Sequence, residues 1–346
     1  MELPETLRLA IEDVAERQPR QALERAATSL SAAYRAERGA QSVRAVDSLA
    51  AIAAYAVTRL PATFAALTAA LTEARERRPA WEPRTLLDAG AGPGVTAWAA
   101  EAVWPSLRQA TLLERDQRMM TLGTELLAAS PPGALEVSWR QVDISSSWGK
   151  PTPPPADLVT CAYALNETPE ARRADLIARL WAATEPATGA LALVAPGTPA
   201  GFAIIRLARD QLIAAGAHIL APCPHERACP MPPGDWCHMA QRLARSRLHR
   251  QLKGGAAPFE DEKFSYVIAA RQPGTPIAAR VIRRPVTYSG RVILDLCGPR
   301  GLERREITRS QRTAFRAARD ARWGSAWPLA IGDEPDASDE DGPSQD

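Results

Sequence analysis

Apolar positions in the first eighty residues recur at helical intervals. Leu7, Ile11 and Val14 fall on one stripe, and Ala51, Tyr55 and residues 57–60 repeat the pattern in a stretch rich in alanine, leucine, arginine and glutamate. Pro61, in R-L-P-A-T-F, must begin or kink a helix, because its ring removes a backbone donor and crowds the preceding turn. The pattern predicts an all-helical region over residues 1–80, ending near Arg78 before the Trp81-Glu82-Pro83 linker. From Thr85 the period changes. Short apolar runs at 85–88, 110–113, 137–143, 157–162 and 191–195 alternate with helical segments at 95–103, 170–182 and 201–215. Alternating strands and helices predict an α/β domain over residues 81–220, built on a parallel, doubly wound sheet.

Beyond residue 220 the periodicity breaks. Residues 222–237 carry five prolines and a glycine, which excludes a helix or an interior strand. Arg242, Arg245 and Arg247 are spaced as on a basic helix, followed by His249, Arg250 and Lys253. A strand is expected at 264–270, short strands with basic edges at 280–285 and 291–294, and a basic helix at 302–322. Residues 221–330 thus read as a Cys-rich, basic extension, and residues 331–346 as a disordered acidic tail.

With 346 residues, 46% of them apolar, the chain can bury one large core or two modest ones, which excludes a disordered protein. It has no run of eighteen apolar residues, and the N-terminus lacks a basic flank with an apolar core, so a cytoplasmic protein without a membrane role is expected. The net charge of +2 hides an asymmetry. Residues 280–322 hold twelve arginines against four acids, whereas residues 333–346 hold seven acids and no base. A basic segment before an acidic tail is common in proteins that meet nucleic acid. Arg283, Arg284, Arg304 and Arg305 join Arg242, Arg245 and Arg247 as candidate phosphate contacts.

The run T-L-L-D-A-G-A-G-P-G-V-T-A-W combines a strand, a glycine turn and a helix. Gly90, Gly92 and Gly94 would admit a cofactor close to the backbone, with Asp88 at the strand end. The absence of a following Lys-Ser or Lys-Thr excludes a P-loop. Glu114 closes the second strand, twenty-four residues after Gly90, at the spacing of a ribose ligand, with Asp116 as the alternate. Asp143 closes the third strand, where an acid can hold an adenine amino group or cap a turn. The third acid favours S-adenosylmethionine over a dinucleotide. The motif [DNS]-P-P-[YF] that positions exocyclic amines is missing, since Cys161-Ala162-Tyr163 stands in its place. Cys161 is placed where a nucleophile could act, but no neighbouring base supports it. Asn166 and Glu167 are candidates for substrate contact or for helix capping.

An odd number of cysteines, five, in a reducing compartment points to metal binding or buried thiols. Cys223, Cys229 and Cys237 crowd the proline-rich run, and Cys297 is the expected fourth ligand, where an apolar strand meets a Gly-Pro turn. Spacings of six, eight and sixty residues do not match the paired knuckles of zinc sites. Proline directly after Cys223 and Cys229 is similar to ferredoxin-type sites. A [4Fe-4S] cluster is therefore preferred, with zinc, recruiting His225 or His238, as the alternative metal.

The segments C-P-H-x3-C-P, D-W-C-H, R-x2-R-x-R-x-H and F-E-D-E-K-F-S-Y resemble the Rsm22 family, over roughly residues 40–325. The resemblance implies a class I, Rossmann-like methyltransferase fold binding S-adenosylmethionine and a [4Fe-4S] cluster, the latter on Cys223, Cys229, Cys237 and Cys297. It also implies association with the small ribosomal subunit and its 16S-type rRNA during assembly. A monomer is expected. Two other readings stay open, an active rRNA methyltransferase and a zinc-stabilised RNA-binding module. A radical enzyme is disfavoured, because its C-x3-C-x2-C signature is absent.

Overall fold

A computed structural model describes residues 2–35, 48–130, 135–146, 148, 152–255 and 257–328. The acidic tail expected at 331–346 lies outside the described residues. The chain divides into two units: Met1–Pro222 with Gly234–Gly274, and Cys223–Pro233 with Thr275–Asp346. The units do not follow chain order, since residues 234–274 return to the first.

In the first unit the helical stripes form helices α1 (Glu5–Glu16), α2 (Arg20–Arg35), α3 (Leu49–Thr58) and α4 (Leu60–Arg77). Leu7, Ile11 and Val14 are buried, as the spacing predicts. The Ser48 hydroxyl caps α3 by accepting the Ala51 N–H, which satisfies one of the donors every helix start leaves open. Pro61 occupies the first turn of α4, where its missing N–H is harmless, and α4 departs from α3 by 42°. Among the described residues no single helix is long and apolar enough to cross a membrane; α3 and α4 together reach that length and composition, and both are largely buried within this unit.

The sheet of this unit comprises β1 (Thr85–Ala89), β2 (Gln109–Glu114), β3 (Glu136–Gln141), β4 (Leu158–Ala162), β5 (Ala190–Pro196), β6 (His218–Ala221), β7 (Met239–Ala244) and β8 (Phe259–Ala270). Helices α5 (Val95–Val103), α6 (Gln117–Leu127), α7 (Glu170–Ala182) and α8 (Pro199–Ala214) connect its parallel strands. The order is β3-β2-β1-β4-β5-β8-β6, with β7 pairing β8. Neighbours from β3 to β5 are parallel, and β8 runs antiparallel to both β5 and β6. A parallel 3-2-1-4-5 order with an antiparallel strand inserted before the sixth is the class I methyltransferase arrangement. Strand order reverses between β1 and β4, so the carboxyl ends of these strands open onto the crevice where α/β folds bind ligands.

Two basic segments fold differently from expectation. The helix predicted through Arg242 and Arg245 is strand β7, with only Arg247–Leu252 helical (α9). Arginine spacing suggested a helix, but Met239 and Leu243 lie buried on one face of a strand, and pairing with β8 decides the state. In the second unit, the helix predicted at 302–322 is strand β12 (Gly301–Thr308) followed by α10 (Arg312–Asp320). Glu303, Arg304, Arg305 and Glu306 mimic a helical charge pattern, yet β12 pairs along its whole length with β11 (Arg291–Gly298). Cys297 accordingly sits within strand β11, and the Gly-Pro turn lies just beyond it. Short strands β9 (Ala279–Val281), β10 (Val286–Thr287) and β13 (Ala326–Trp327) complete this sheet. Among the described residues its hydrophobic cluster has eight buried members, including Val281, Val292, Leu294, Leu296 and Trp327.

Candidate functional site

Gly90, Gly92 and Gly94 all adopt positive φ, which only glycine enters without penalty. At Gly90 the requirement is also spatial, since a Cβ would stand 2.5 Å from the Ala164 Cβ. At Gly92 nothing lies within 4 Å of an added Cβ, so the turn faces open space there. The turn is anchored to β2: Gly90 and Ala91 donate their N–H groups to the Leu113 carbonyl, at 2.9 and 3.0 Å. Glu114, at the end of β2, completes the anchor. Its Oε2 accepts the Gly92 N–H at 2.8 Å, and its Oε1 accepts the N–H groups of Arg115 and Asp116, each at 2.8 Å.

These residues line a cavity of about 660 Å³ at the carboxyl ends of the parallel strands, large enough for a cofactor-sized ligand. Of the six residues expected to hold the cofactor, Gly90, Gly92, Glu114 and Asp143 line it; Asp88 and Gly94 do not. Asp88 is buried behind the turn, where the Thr160 hydroxyl donates to its Oδ1 at 2.7 Å. Burial pushes its pKa up to about 6, against the opposing hydrogen bonds of Thr160 and Thr96. Asp116, the alternate ribose ligand, caps α6 and binds Arg118 through both oxygens, which holds its carboxyl below the usual range. Asp143 lines the cavity and also caps a turn, since its Oδ1 accepts from the Ser145 hydroxyl at 2.7 Å and N–H at 2.9 Å.

Two further expected contacts, Asn166 and Glu167, line the cavity after β4. Burial pushes the Glu167 carboxyl up to about 7, partly offset by Arg115 at 3.6 Å. Cys161 is fully buried in β4, and burial raises its thiol well above the ordinary range; a thiolate nucleophile is disfavoured there. The sequence reading missed a wall of this cavity formed by Tyr55, Thr63, Tyr163, Asp261, Glu262 and Lys263. Arg59 joins that wall and pairs with Glu262 at 3.3 Å. The alternation of Glu260 and Glu262 along a strand was the available signal; their partners lie too far along the chain to be read from it.

Four cysteines, Cys223, Cys229, Cys237 and Cys297, are half-buried and form no disulfide among the described residues. Cys223, Cys229 and Cys297 belong to the second unit and Cys237 to the first. Within the second unit the Cys297 Sγ stands 3.8 Å from the His225 Nε2. Among the described residues no three His, Cys, Asp or Glu side chains are grouped as a metal ion requires. Thiolates and an imidazole are suitable donors for iron–sulfur or zinc.

The candidate phosphate contacts differ in what they already bind. Arg242 grips Asp261 through two hydrogen bonds, at 2.7 and 2.9 Å, and covers the Phe259 ring. Arg245 and Lys253 converge on Glu260 beside buried His249. Arg305 pairs with Glu303, Arg283 donates to the Ile282 carbonyl, and Arg304 lies 3.9 Å from Asp295 while remaining exposed. Arg247 and Arg284 are exposed.

The family described as "Mitochondrial small ribosomal subunit Rsm22" matches residues 49–328. The chain belongs to the Rsm22 family. It is 33% identical over 299 residues to the human "Ribosome assembly protein METTL17, mitochondrial", covering 80% of this chain and 62% of that protein. It is 26% identical to the "Rsm22-cox11 tandem protein 2, mitochondrial" of Schizosaccharomyces pombe, covering 80% of this chain and 43% of that protein. The Rsm22 chain thus spans less than two thirds of the length of these curated relatives. Among solved structures it is similar to the plantazolicin methyltransferase BpumL in complex with SAH, with a TM-score of 0.39, 12% identity and coverage of 70% and 98%. An O-methyltransferase family protein from Burkholderia thailandensis gives a TM-score of 0.41 at 16% identity, with coverage of 67% and 63%. The fold of this Rsm22 protein rests on its own strand order.

Proposed function

We propose that this Rsm22 protein binds S-adenosylmethionine, carries a [4Fe-4S] cluster, and binds small-subunit rRNA to assist assembly of the small ribosomal subunit. One observation carries the cofactor part: Glu114 fastens the glycine turn over a cavity whose lining has six carboxylates and three cationic side chains. An acidic lining suits a ligand bearing a sulfonium and an ammonium group. Gly90 and Gly92 admit the ligand to the backbone, the Glu114 Oε2 retains a lone pair for a ribose hydroxyl, and Asp143 faces the adenine amino group. When bound, the cofactor supplies an electrophilic methyl group. Asp88 supports the turn from behind.

The metal part is supported by donor chemistry and by the size of the second unit. Cys223, Cys229, Cys237 and Cys297 are the ligands in this reading. Among the described residues this unit's hydrophobic cluster has eight buried members, small for an independently stable unit, and small units commonly add a metal staple. Zinc is the alternative, with His225 already beside Cys297. Anaerobic purification should yield a brown protein with iron and acid-labile sulfide in the cluster's ratio; a colourless protein holding one zinc would overturn the cluster.

The relatives' names support the ribosomal part, and exposed Arg247, Arg284 and Arg304 are its phosphate contacts, with Arg283 and Arg305 beside them. Arg242 and Arg245 contribute only on releasing Asp261 and Glu260. Crosslinking of the monomeric full chain to RNA, with sequencing of the fragments, should recover 16S-type rRNA at one region. Recovery of scattered or no rRNA would remove this role.

A further inference from the structure

We infer that Glu262, Arg59 and Tyr163 form a second subsite in the cofactor cavity, one that reads a nucleobase edge bearing an N–H donor next to a carbonyl or ring-nitrogen acceptor. The inference rests on the S-adenosylmethionine reading above and names what the same cavity takes beside the cofactor. The cavity extends from the glycine turn to a wall drawn from three distant parts of the first unit. Tyr55, Arg59 and Thr63 come from the helical region, Tyr163 from the end of β4, and Asp261, Glu262 and Lys263 from β8.

Glu262 is the centre of that wall. Its side chain is only 13% exposed, and two donors reach the same oxygen: Arg59 Nη2 at 3.3 Å and the Tyr163 hydroxyl at 3.4 Å, both on Oε1. Oε2 accepts no hydrogen bond among the described residues. A carboxylate largely removed from water and not saturated by the protein is poised to accept a ligand N–H. Tyr163 adds an independent sign. Its φ of 62° is the one positive value at a non-glycine position among the described residues, and its N–H is held by the Val194 carbonyl at 2.7 Å. Strained backbone of this kind persists where the surroundings hold it and concentrates at ligand sites.

The chemistry of the wall selects among ligands. A carboxylate beside a guanidinium is complementary to a neutral group that offers a donor next to an acceptor. A free ammonium would meet Arg59, and a phosphate or carboxylate would meet the excess of acids in the lining. Nucleobases carry such an edge, and Tyr55 and Tyr163 supply aromatic surface for a planar ring, as base-binding pockets do. A side-chain amide has the same edge and leaves the aromatic surface unused. The base's phosphates would stay outside this acidic pocket.

The test titrates the full chain, first with S-adenosylhomocysteine and then, when loaded, with guanosine, cytidine, adenosine, uridine and acetyl-glutamine amide, read by calorimetry and ligand-observed NMR. At least one nucleoside should bind the loaded chain. Glu262→Gln should weaken it about tenfold and Tyr163→Phe about threefold, with S-adenosylhomocysteine affinity unchanged within about twofold, as expected for losing hydrogen bonds to a buried charged group. Tyr163→Phe keeps the ring, so it reports on the hydroxyl even where Glu262→Gln perturbs folding. Uptake of S-adenosylhomocysteine without nucleoside binding overturns the subsite alone, as does acetyl-glutamine amide binding as tightly as the best nucleoside, or nucleoside affinity indifferent to both substitutions. No uptake of S-adenosylhomocysteine overturns the cofactor reading, and the subsite with it.

Discussion

The two units organise polar chemistry in opposite ways. In the first, the cavity's acids are set by the chain's own backbone: Glu114 takes three N–H groups, Asp116 caps a helix and Asp143 caps a turn. In the second, the segment Cys223–Pro233 has no helix or strand, carries prolines at 224, 230, 232 and 233, and accompanies a cluster of eight buried residues among those described. One site is pre-organised before any ligand arrives; the other has Cys297 held in β11 but Cys223 and Cys229 in a segment with no helix or strand to place them. The first region should therefore keep its shape without its ligand, whereas the second, with the proposed cluster, should depend on that metal for much of its stability.

On the proposed cluster reading, the largest effect should come from removing the metal. Cys297→Ser, or chelation of the purified protein, should abolish amide hydrogen-exchange protection in residues 279–308 while leaving residues 85–114 protected. Equal protection in both segments would break the comparison. Next is Gly90→Val in the first unit. The side chain would collide with Ala164 and force a β-branched residue to a φ of +75°, so S-adenosylmethionine affinity should fall by about a hundredfold or more, on the order of 3 kcal/mol. Calorimetry checks this, with circular dichroism reporting that the sheet persists.

The third prediction concerns pH. Asp88 is buried, and its folded pKa of about 6 lies above the value of 3.8 for a free aspartate. The folded state therefore holds its proton more tightly than the unfolded state. Sign follows directly: the unfolded chain binds fewer protons between about pH 4 and pH 6, so this residue makes stability fall as pH rises through that window. Asp88→Asn keeps an acceptor for Thr160 and should flatten that decline, raising stability at pH 7 by roughly 1–3 kcal/mol. Urea denaturation at several pH values measures it; an unchanged slope would place the Asp88 charge elsewhere in the energetics. The smallest effect is expected for Arg242→Ala, which removes an exposed pair with Asp261 and should leave the urea midpoint nearly unchanged.

How much was legible in the sequence follows the same division. The first unit's strands could be placed from short apolar runs, and the glycine turn from spacing, because local patterns dictate local states there. Glu114 and Asp143 were recoverable because strand ends fix which residues face the crevice. Glu262 and Arg59 were not paired by the reading, since 203 residues separate them and only the insertion of β8 beside β5 brings them together. The basic segments misled for a related reason. Arg242, Arg245, Arg304 and Arg305 carry charge spacings compatible with a helix, but buried Met239, Leu243 and Ile307 are claimed by neighbouring strands. The cysteines could be singled out by their proline context, whereas their mutual geometry is a tertiary property that spacing does not encode.

The most direct test of the account is calorimetric titration of S-adenosylmethionine into the folded full-length chain. The account predicts one-to-one binding that Gly90→Val abolishes and Arg242→Ala leaves intact. A folded wild-type chain that takes up no S-adenosylmethionine would contradict it.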